Sequence, residues 1–499
     1  MCLGGVYIYN HAYSDALIVY EEGLATIHSL SREQIASMEL FELEREALEK
    51  IALLHGMMGN HERSITFYED ALIVLHKVKG RDSMEAVEIY SSLGNVLHLL
   101  NFYEKSLFCY KESLRLMKQS PEEFSSQFAS IHYKLGILHS KNGNYGSAID
   151  HCSEAMKLEN SSDVAWSTLH LMGTAYSNSN KHVDSVTCFK KSLEIKKTLK
   201  TDCDGDDAKI NLNLAKAYCD LELYDDSLRF YEVGKAIVRT IHGESKEYSS
   251  VLRNIAYVYC KKGDIPDSLL AYDMALEVSI KKFGEEHINT ANILQEKGNV
   301  LMATTDVHSQ EKGMDLYSEC VKIKSRILGN KNGEVVVGKN NLAVMYLKMN
   351  NHDKALLFFT DVLEAKKHTP GNDNYTIADV HQNIGLLHKS LKKHDSFDLA
   401  VHHFKKALEI RKSKLEKNDP KVYDTMYNLG IALTLQRDFS QALEFFEESL
   451  AGYESCSYES SNSVIPNIKK WIMFAHQKKN KEKVKVFQQK NRMKKALRG

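Results

Sequence analysis

The strongest candidate for chemistry in the sequence is the segment GEVVVGKN at residues 333–340, which nearly matches a phosphate-binding loop. In that motif a glycine-rich turn wraps phosphate with backbone N–H groups, and a hydroxyl residue after the lysine binds Mg²⁺. Asn340 occupies the hydroxyl position here. The motif also needs a preceding strand, whereas the repeat described below makes this segment a linker that runs into a helix. We interpret the match as coincidental.

The 22 histidines and nine cysteines show no pattern typical of a metal site or a catalytic nucleophile. No HExxH sequence occurs, and no spacing supports a Ser-His-Asp or Cys-His arrangement. His139 and His388 occupy a position that is tyrosine in other copies of the repeat, so we interpret them as packing residues. His402 and His403 are adjacent and therefore face different sides of one helix. We expect no enzyme activity, no cofactor and no metal.

The composition predicts a soluble protein that forms a helical core. Hydrophobic residues make up 43% and charged residues 26% of the chain, and there are only 5 prolines. No apolar run approaches the roughly 18 residues that a membrane span needs, and the N-terminus has no signal-peptide pattern. The scattered cysteines argue for a reducing compartment. We expect a cytoplasmic protein with no membrane insertion.

A repeat with a usual period of 42 residues runs along the chain. After a small anchor residue, a second small residue follows 12 positions on, an aromatic 16 on and a third small residue 19 on, as in Gly430, Ala442, Phe446 and Ser449. The anchors are residues 4, 52, 94, 136, 173, 215, 256, 298, 343, 385 and 430, and two copies, at 298 and 385, have three extra residues in the turn. Apolar residues at helical spacing predict a helix, a short polar turn and a second helix in each copy.

This repeat predicts about 22 to 24 antiparallel helices and no sheet. Residues 1–468 would hold eleven copies, the first one truncated, and residues 469–499 a degenerate twelfth copy or a basic capping helix. Glycine inside a helix costs about 0.5–1 kcal/mol relative to alanine. We expect Gly94, Gly136 and Gly430 to be compensated by close helix–helix contacts, with the aromatic filling the gap between neighbouring pairs.

These spacings resemble the tetratricopeptide repeat family, as the segment NIAYVYCKKGDIPDSLLAYDMAL at 254–276 illustrates. The longer period, the NLA and NLG segments and linkers such as KKFGEEHINTA at 281–291 are similar to the kinesin light chain subfamily. The resemblance implies an all-α fold, a right-handed superhelical α-solenoid of tandem helix-turn-helix repeats. It also implies a non-enzymatic scaffold or adaptor that binds extended peptide segments of partner proteins in its concave groove, with cytoskeletal or motor components as candidate partners.

Residues two positions before the anchor should point into that groove, and five of them are asparagine: Asn213, Asn254, Asn341, Asn383 and Asn428. In the families that this chain resembles, asparagines at this position grip the ligand backbone, for which an amide supplies both donor and acceptor. The alternative is that each asparagine bonds a neighbouring helix and stiffens the stack. Lys209, Arg253 and Lys261 are further groove candidates. Such cations in an acidic protein suit an acidic or aromatic-anchored peptide.

Charge is concentrated at the C-terminus, where residues 469–499 carry twelve Lys or Arg and one Glu. We favour a solvated capping helix that keeps the end of the repeat array soluble. The alternative is a cytoskeleton-associated protein that docks this basic helix on tubulin or another polyanion. Nucleic acid is not an expected partner.

The N-terminus begins inside a repeat. Leu3, Gly4 and Tyr7 fill the positions of a first helix that starts about one turn late. Because terminal repeats normally have a polar outer face, we expect either a fragment of a longer solenoid or a frayed first repeat.

Overall fold

The computed structural model describes residues 7, 11–32, 38–120, 124–158, 162–199, 204–367, 374–415, 419–455 and 461–496. Within them the chain forms 22 α-helices and no β-strand, which confirms the expected all-α fold for this part of the chain. The helices are α1 (Tyr13–Arg32), α2 (Met38–Met57), α3 (His61–Lys79), α4 (Ala86–Leu99), α5 (Tyr103–Met117), α6 (Ser125–Lys141), α7 (Tyr145–Leu158), α8 (Ser162–Asn178), α9 (His182–Thr198), α10 (Gly205–Asp220), α11 (Tyr224–His242), α12 (Lys246–Lys262), α13 (Ile265–Phe283), α14 (Ile288–Met302), α15 (Val307–Leu328), α16 (Gly333–Lys348), α17 (His352–Lys367), α18 (Asn374–Ser390), α19 (His394–Lys414), α20 (Pro420–Gln436), α21 (Phe439–Ser455) and α22 (Ser461–Ala496).

The chain divides into two compact units, Met1–Ala271 and Tyr272–Gly499. In the first unit, α2 to α11 form five successive helical hairpins, and in the second unit α14 to α21 form four. Each hairpin also packs on the next within its unit, and α22 packs on α21. The division of the repeats at residue 468 stays a prediction.

The predicted start of the first repeat lies mostly outside the described residues, since Leu3 and Gly4 are not among them. Tyr7 is half-buried and packs against a small cluster that includes Ala16, Tyr20 and Ile51.

Most turns inside the hairpins share one backbone conformation seven residues after the anchor, and the longer α14–α15 turn does not have it. The residues with positive φ at this position are Gly59, Asn101, Gly143, Asn180, Glu222, Gly263, Asn350, Lys392 and Arg437. The following N–H donates to the carbonyl three residues after the anchor, as Asn144 N does to His139 O at 2.8 Å. This bond is the six-to-one hydrogen bond of a Schellman motif, which ends one helix and lets the next begin at once.

Serine hydroxyls join the two helices of many hairpins. At the position 12 after the anchor, the serine Oγ donates to the anchor carbonyl at 2.7–2.8 Å; these residues are Ser64, Ser106, Ser185, Ser227 and Ser268. At the position 19 after the anchor, Ser113, Ser192 and Ser449 donate to the carbonyl of the residue seven positions before the anchor, at 2.7–3.1 Å. The sequence pattern identified these positions only as small. A serine here fits the narrow space and pairs its buried hydroxyl.

The anchor glycines lie at close contacts, as predicted. A Cβ added to Gly430 would lie 2.6 Å from Cε1 of Phe446, and one added to Gly94 would lie 2.7 Å from Cε1 of Tyr110. The aromatic therefore covers the glycine of its own hairpin. It also reaches the following helices, since the Phe446 and Trp471 rings stack with centroids 6.3 Å apart. The ring thus closes its hairpin as well as the gap to the next one.

Candidate binding cleft

A cleft of about 570 Å³ opens between α10, α11 and α12 in the first unit. Leu212, Val238 and Val251 contribute apolar side chains to its wall, and Lys209 and Asn254 also line it. The cleft is contributed by the first helices of two successive repeats together with the end of the helix between them. Ligand pockets in proteins start at roughly 300 Å³. The cleft is therefore large enough to take a bulky side chain of a bound peptide.

Well-defined helix starts position this cleft. The Asp204 carboxylate caps α10 by accepting from the N–H groups of Asp206 and Asp207, and Ser245 caps α12 by accepting from Tyr248 N. Burial opposes ionisation of Asp204, but hydrogen bonds from Lys196 and from these N–H groups outweigh it, so the pKa of Asp204 lies below its usual value. The cap therefore stays charged, and the first turn of α10 is held in place.

The charged groups around the cleft are mostly basic. Lys209, His242 and Lys246 line it and are exposed, and Glu247 is the acidic residue beside them. Its own backbone N–H and the Ser245 hydroxyl lower the pKa of Glu247, so this carboxylate stays ionised. Lys209 is ion-paired to Asp206 at 2.8 Å, one turn away on the same helix.

The five candidate asparagines lie in different environments. The Asn213 amide nitrogen is 2.8 Å from His170 Nε2 on α8, and Asn341 donates to the Tyr317 hydroxyl on α15 at 3.3 Å. Asn428 accepts from Lys389 Nζ on α18 at 2.8 Å. Burial lowers the pKa of Lys389 to about 8. Asn254 is exposed and lines the cleft.

The remaining candidates lie outside the cleft. Asn383 is half-buried in α18, in the second unit. Lys261 lies over the exposed Tyr257 ring, 5.5 Å from its centroid, and Arg253 is half-buried on the same helix, α12. Of the eight candidates, Lys209 and Asn254 are therefore the two that line this cleft. Sequence reasoning missed His242 and Lys246, which lie at the junction of two repeats, where the register identifies no position.

Other chemistry finds little support in the described residues. The segment 333–340 forms the start of α16, and Val335, Val336 and Gly338 in it are buried. Among all the residues that the structure describes, no group of three or more His, Cys, Asp or Glu side chains could hold a metal ion. Among the described helices, none combines the length and apolarity that crossing a bilayer requires.

Models of the tetratricopeptide repeat match four segments, residues 43–119, 249–289, 340–373 and 375–455. The chain is a tetratricopeptide repeat protein. Tetratricopeptide repeats generally serve as protein–protein interaction scaffolds, and this repeat protein has the paired helices that such a scaffold needs.

Two curated relatives of this tetratricopeptide repeat protein are photosystem I assembly proteins Ycf3, from Synechococcus sp. (strain CC9605) and from Prochlorococcus marinus subsp. pastoris. They are 28% and 29% identical to it over 94 residues, which is 19% of this chain. The chain spans about half the length, 53%, of these relatives.

Solved structures similar to this tetratricopeptide repeat protein include the apo form of RapI, which is 14% identical with a TM-score of 0.40 and covers 56% of this chain and 97% of its own. Another is a kinesin light chain with nearly identical repeats from Podosopora anserina, which is 15% identical with a TM-score of 0.37 and covers 41% and 98%. A third is YrrB, which is 14% identical with a TM-score of 0.32 and covers 43% and 93%.

Proposed function

We propose that this protein is a non-enzymatic scaffold or adaptor that acts in the cytoplasm and binds extended segments of partner proteins. The observation that carries the proposal is the cleft between α10, α11 and α12, which presents Asn254 and Lys209 beside an apolar wall. An exposed amide can pair with a peptide backbone, and an apolar side chain of the peptide can fill the space beside it. Lys209 and Lys246 would attract an acidic residue next to that side chain.

The exposed and the bonded asparagines should play different roles. Asn254 is free to meet a ligand at the cleft, whereas Asn213, Asn341 and Asn428 already bond residues of the preceding repeat. We therefore assign backbone recognition first to Asn254. Replacement of Asn213 by alanine should lower the melting temperature, and Asn254→Ala should leave it unchanged.

A peptide library tests the proposal. Random 12-residue peptides displayed on phage are selected on the full chain, and the affinity of an enriched synthetic peptide is measured by fluorescence anisotropy. The Lys209→Ala/Asn254→Ala variant should bind it at least tenfold more weakly, because both cleft contacts are lost.

The matched control is Lys322→Ala/Asn299→Ala. Lys322 matches Lys209 because each forms an ion pair with an acidic residue three positions before it, and their side chains are 61% and 67% exposed, respectively. Asn299 is an exposed helical asparagine in the second unit. This variant should bind within twofold of wild type. Equal losses in both variants, or no peptide enriched over a bare support, would contradict the cleft as a binding site.

A second candidate function follows from α22, which is 36 residues long. Its segment 477–490 carries six lysines and one glutamate, and Val484 and Phe487 in it are 55% and 66% exposed. A basic helix with exposed apolar side chains suits an acidic surface, so we propose docking on a cytoskeletal polymer such as a microtubule as the alternative.

Co-sedimentation with microtubules distinguishes the two functions. Docking through α22 should weaken steeply between 50 and 300 mM salt, because charge pairs at an exposed surface are screened. Replacement by glutamine of the six lysines at 478, 479, 481, 483, 485 and 490 should abolish it. The same change at six exposed lysines elsewhere, at 191, 197, 312, 322, 331 and 405, should not. Binding that ignores both salt and the α22 variant would remove this alternative.

A further inference from the structure

A parallel stack of two aromatic rings closes five hairpins at one register. The first ring lies three residues after the anchor, and the second 15 residues after it, or 18 where the turn is longer. Ring centroids are 5.3–6.0 Å apart and the planes differ by 7–18°. The pairs are His55–Phe67, His139–His151, Tyr218–Phe230, Tyr346–Phe358 and His388–His403.

Two of these stacks consist of histidine alone and recruit a third histidine four residues before the anchor. His132 Nδ1 lies 3.0 Å from His151 Nδ1, and His381 Nδ1 lies 2.9 Å from His403 Nδ1. We call these two groups the histidine triads. The first is His132, His139 and His151, between α6 and α7, and the second is His381, His388 and His403, between α18 and α19. Their sequence signature is the pair of segments HYKLGILH at 132–139 and HQNIGLLH at 381–388.

The geometry of each triad opposes protonation of both rings in its Nδ1 pair. In a pair joined through Nδ1, one Nδ1 must donate a hydrogen bond and the other must accept it. When both rings are protonated, two N–H donors face each other and the hydrogen bond is lost. His139, His381 and His388 are also 8–9% exposed. Among the described residues, Nδ1 of His139 and of His388 has no hydrogen-bond partner. A charge placed on such a buried ring would therefore be poorly compensated.

Charged neighbours act differently on the two triads. At the first, Glu154 and Asp150 on α7 favour protonation, while Lys111 on α5 and Lys118 just after it oppose it. At the second, Lys406 and His402 on α19 oppose it. Burial is the largest influence in both, and with these neighbours it lowers the pKa of His151, His381 and His403 to about 4.

The sign of the pH effect follows from these directions. An opened hairpin returns its histidines to water, where their pKa is about 6.5. Between pH 6.5 and about 4 the opened state therefore binds more protons than the closed state, and stability falls as the pH falls through this window. Above pH 6.5 both states are neutral, and the stabilisation is fully present.

We propose that the two histidine triads make α6–α7 and α18–α19 acid-sensitive hairpins. They stay closed at neutral pH and open locally on acidification, whereas the hairpins stacked through tyrosine and phenylalanine stay closed. Protonation would thereby control the opening of these two repeats, and this control does not depend on what the cleft binds.

Hydrogen exchange of the full chain, followed by mass spectrometry at pH 7.5 and 5.0 with intrinsic rates corrected, tests this inference. Protection in residues 125–158 and 374–414 should fall at least tenfold at pH 5.0. Residues 205–242 and 333–367, which carry the Tyr218–Phe230 and Tyr346–Phe358 stacks, should change less than twofold. A uniform loss in all four segments, or no loss in the triad hairpins, would overturn the proposal.

A variant provides the internal control. The substitutions His132→Asn, His139→Tyr and His151→Phe copy Asn211, Tyr218 and Phe230, which fill the same positions of α10–α11. The acid effect should disappear from residues 125–158 and persist in residues 374–414.

Two measurements on the wild-type protein keep the inference testable if that variant does not fold. In ring-carbon NMR spectra, the triad histidines should remain neutral at pH 6.0, and titration of all six near pH 6.5 would overturn the proposal. The second measurement is a Zn²⁺ titration at pH 7.5, which should leave the melting temperature unchanged. A rise on adding micromolar Zn²⁺ would instead make the triads metal sites and exclude the proton-operated role.

Discussion

The hairpins α6–α7 and α10–α11 lie in the same unit and follow the same register, yet they share few side chains. The first has Gly136, Ala148 and Cys152 where the second has Ala215, Ser227 and Tyr231. Both turns have a positive-φ residue seven positions after the anchor, and both have a parallel ring stack. The comparison teaches that the two hairpins share a small residue at the anchor and 12 positions on, a positive-φ turn residue and a parallel ring pair, although Cys152 replaces a tyrosine ring. The chemistry of those side chains is free to vary.

The same two hairpins differ in what they present to their neighbours. Two residues before the anchor, α10 has Asn213, bonded to His170, while α6 has Lys134. Burial lowers the pKa of Lys134, and its ammonium lies 5.6 Å from the Tyr110 ring centroid. One register position thus holds an amide in one repeat and a half-buried cation in another. The role of this position must therefore be assigned separately for each repeat.

The largest expected effect on stability comes from replacing the anchor glycine Gly136 by a larger side chain. Gly136→Leu should destabilise the protein by about 1–3 kcal/mol or more, because overpacked side chains force neighbours out of place. Gly136→Ala should have a smaller effect: its Cβ would lie 3.0 Å from Cys152 Sγ and 3.3 Å from Leu171 Cδ2, side-chain atoms that need shift only slightly, and α10 carries alanine at this position. Urea unfolding measures both. A Gly136→Leu protein that unfolds like wild type would show that the register is wrong.

The next effect concerns the turns, where α6–α7 has Gly143 and α10–α11 has Glu222, both at positive φ. A left-handed conformation costs a non-glycine residue roughly 1–2 kcal/mol. Gly143→Ala should therefore destabilise the protein by about 1 kcal/mol, and Glu222→Gly should stabilise it by somewhat less, because glycine also loosens the unfolded chain. Thermal unfolding of the two variants gives the sign. Shifts in the same direction would contradict the shared turn geometry.

The last effect, comparable in size to that of the turn, concerns the serine bond. Ser227 donates to the Ala215 carbonyl at 2.7 Å, and Ala148 leaves the equivalent position of α6–α7 without a hydroxyl. Ser227→Ala should lower the free energy of unfolding by about 0.5–1.5 kcal/mol. Ala148→Ser should raise it by no more than about 0.5 kcal/mol, within the same range for a single bond. If Ala148→Ser is strongly destabilising, the two helices of α6–α7 lie closer together than those of α10–α11.

Contacts within a hairpin were readable from the amino-acid order. Gly430 and Phe446 lie 16 residues apart on two helices joined by a short turn, so their spacing alone brings them together. The helix pairs, the all-α class and the close glycine contacts follow from this locality, because the period of the apolar residues specifies which faces meet. The tetratricopeptide character of the chain rests on the same spacings.

Contacts between repeats were decided only in three dimensions. Asn213 meets His170, 43 residues away, because a neighbouring repeat brings that ring to the same place. The cleft that joins Lys209 to His242 and Asn254 likewise arises between two repeats. Even within one hairpin, His132 meets His151 through a side-chain conformation that the anchor register does not specify. A small-residue register specifies how each hairpin closes, but the partners across repeats depend on individual side chains and on the packing of one hairpin against the next.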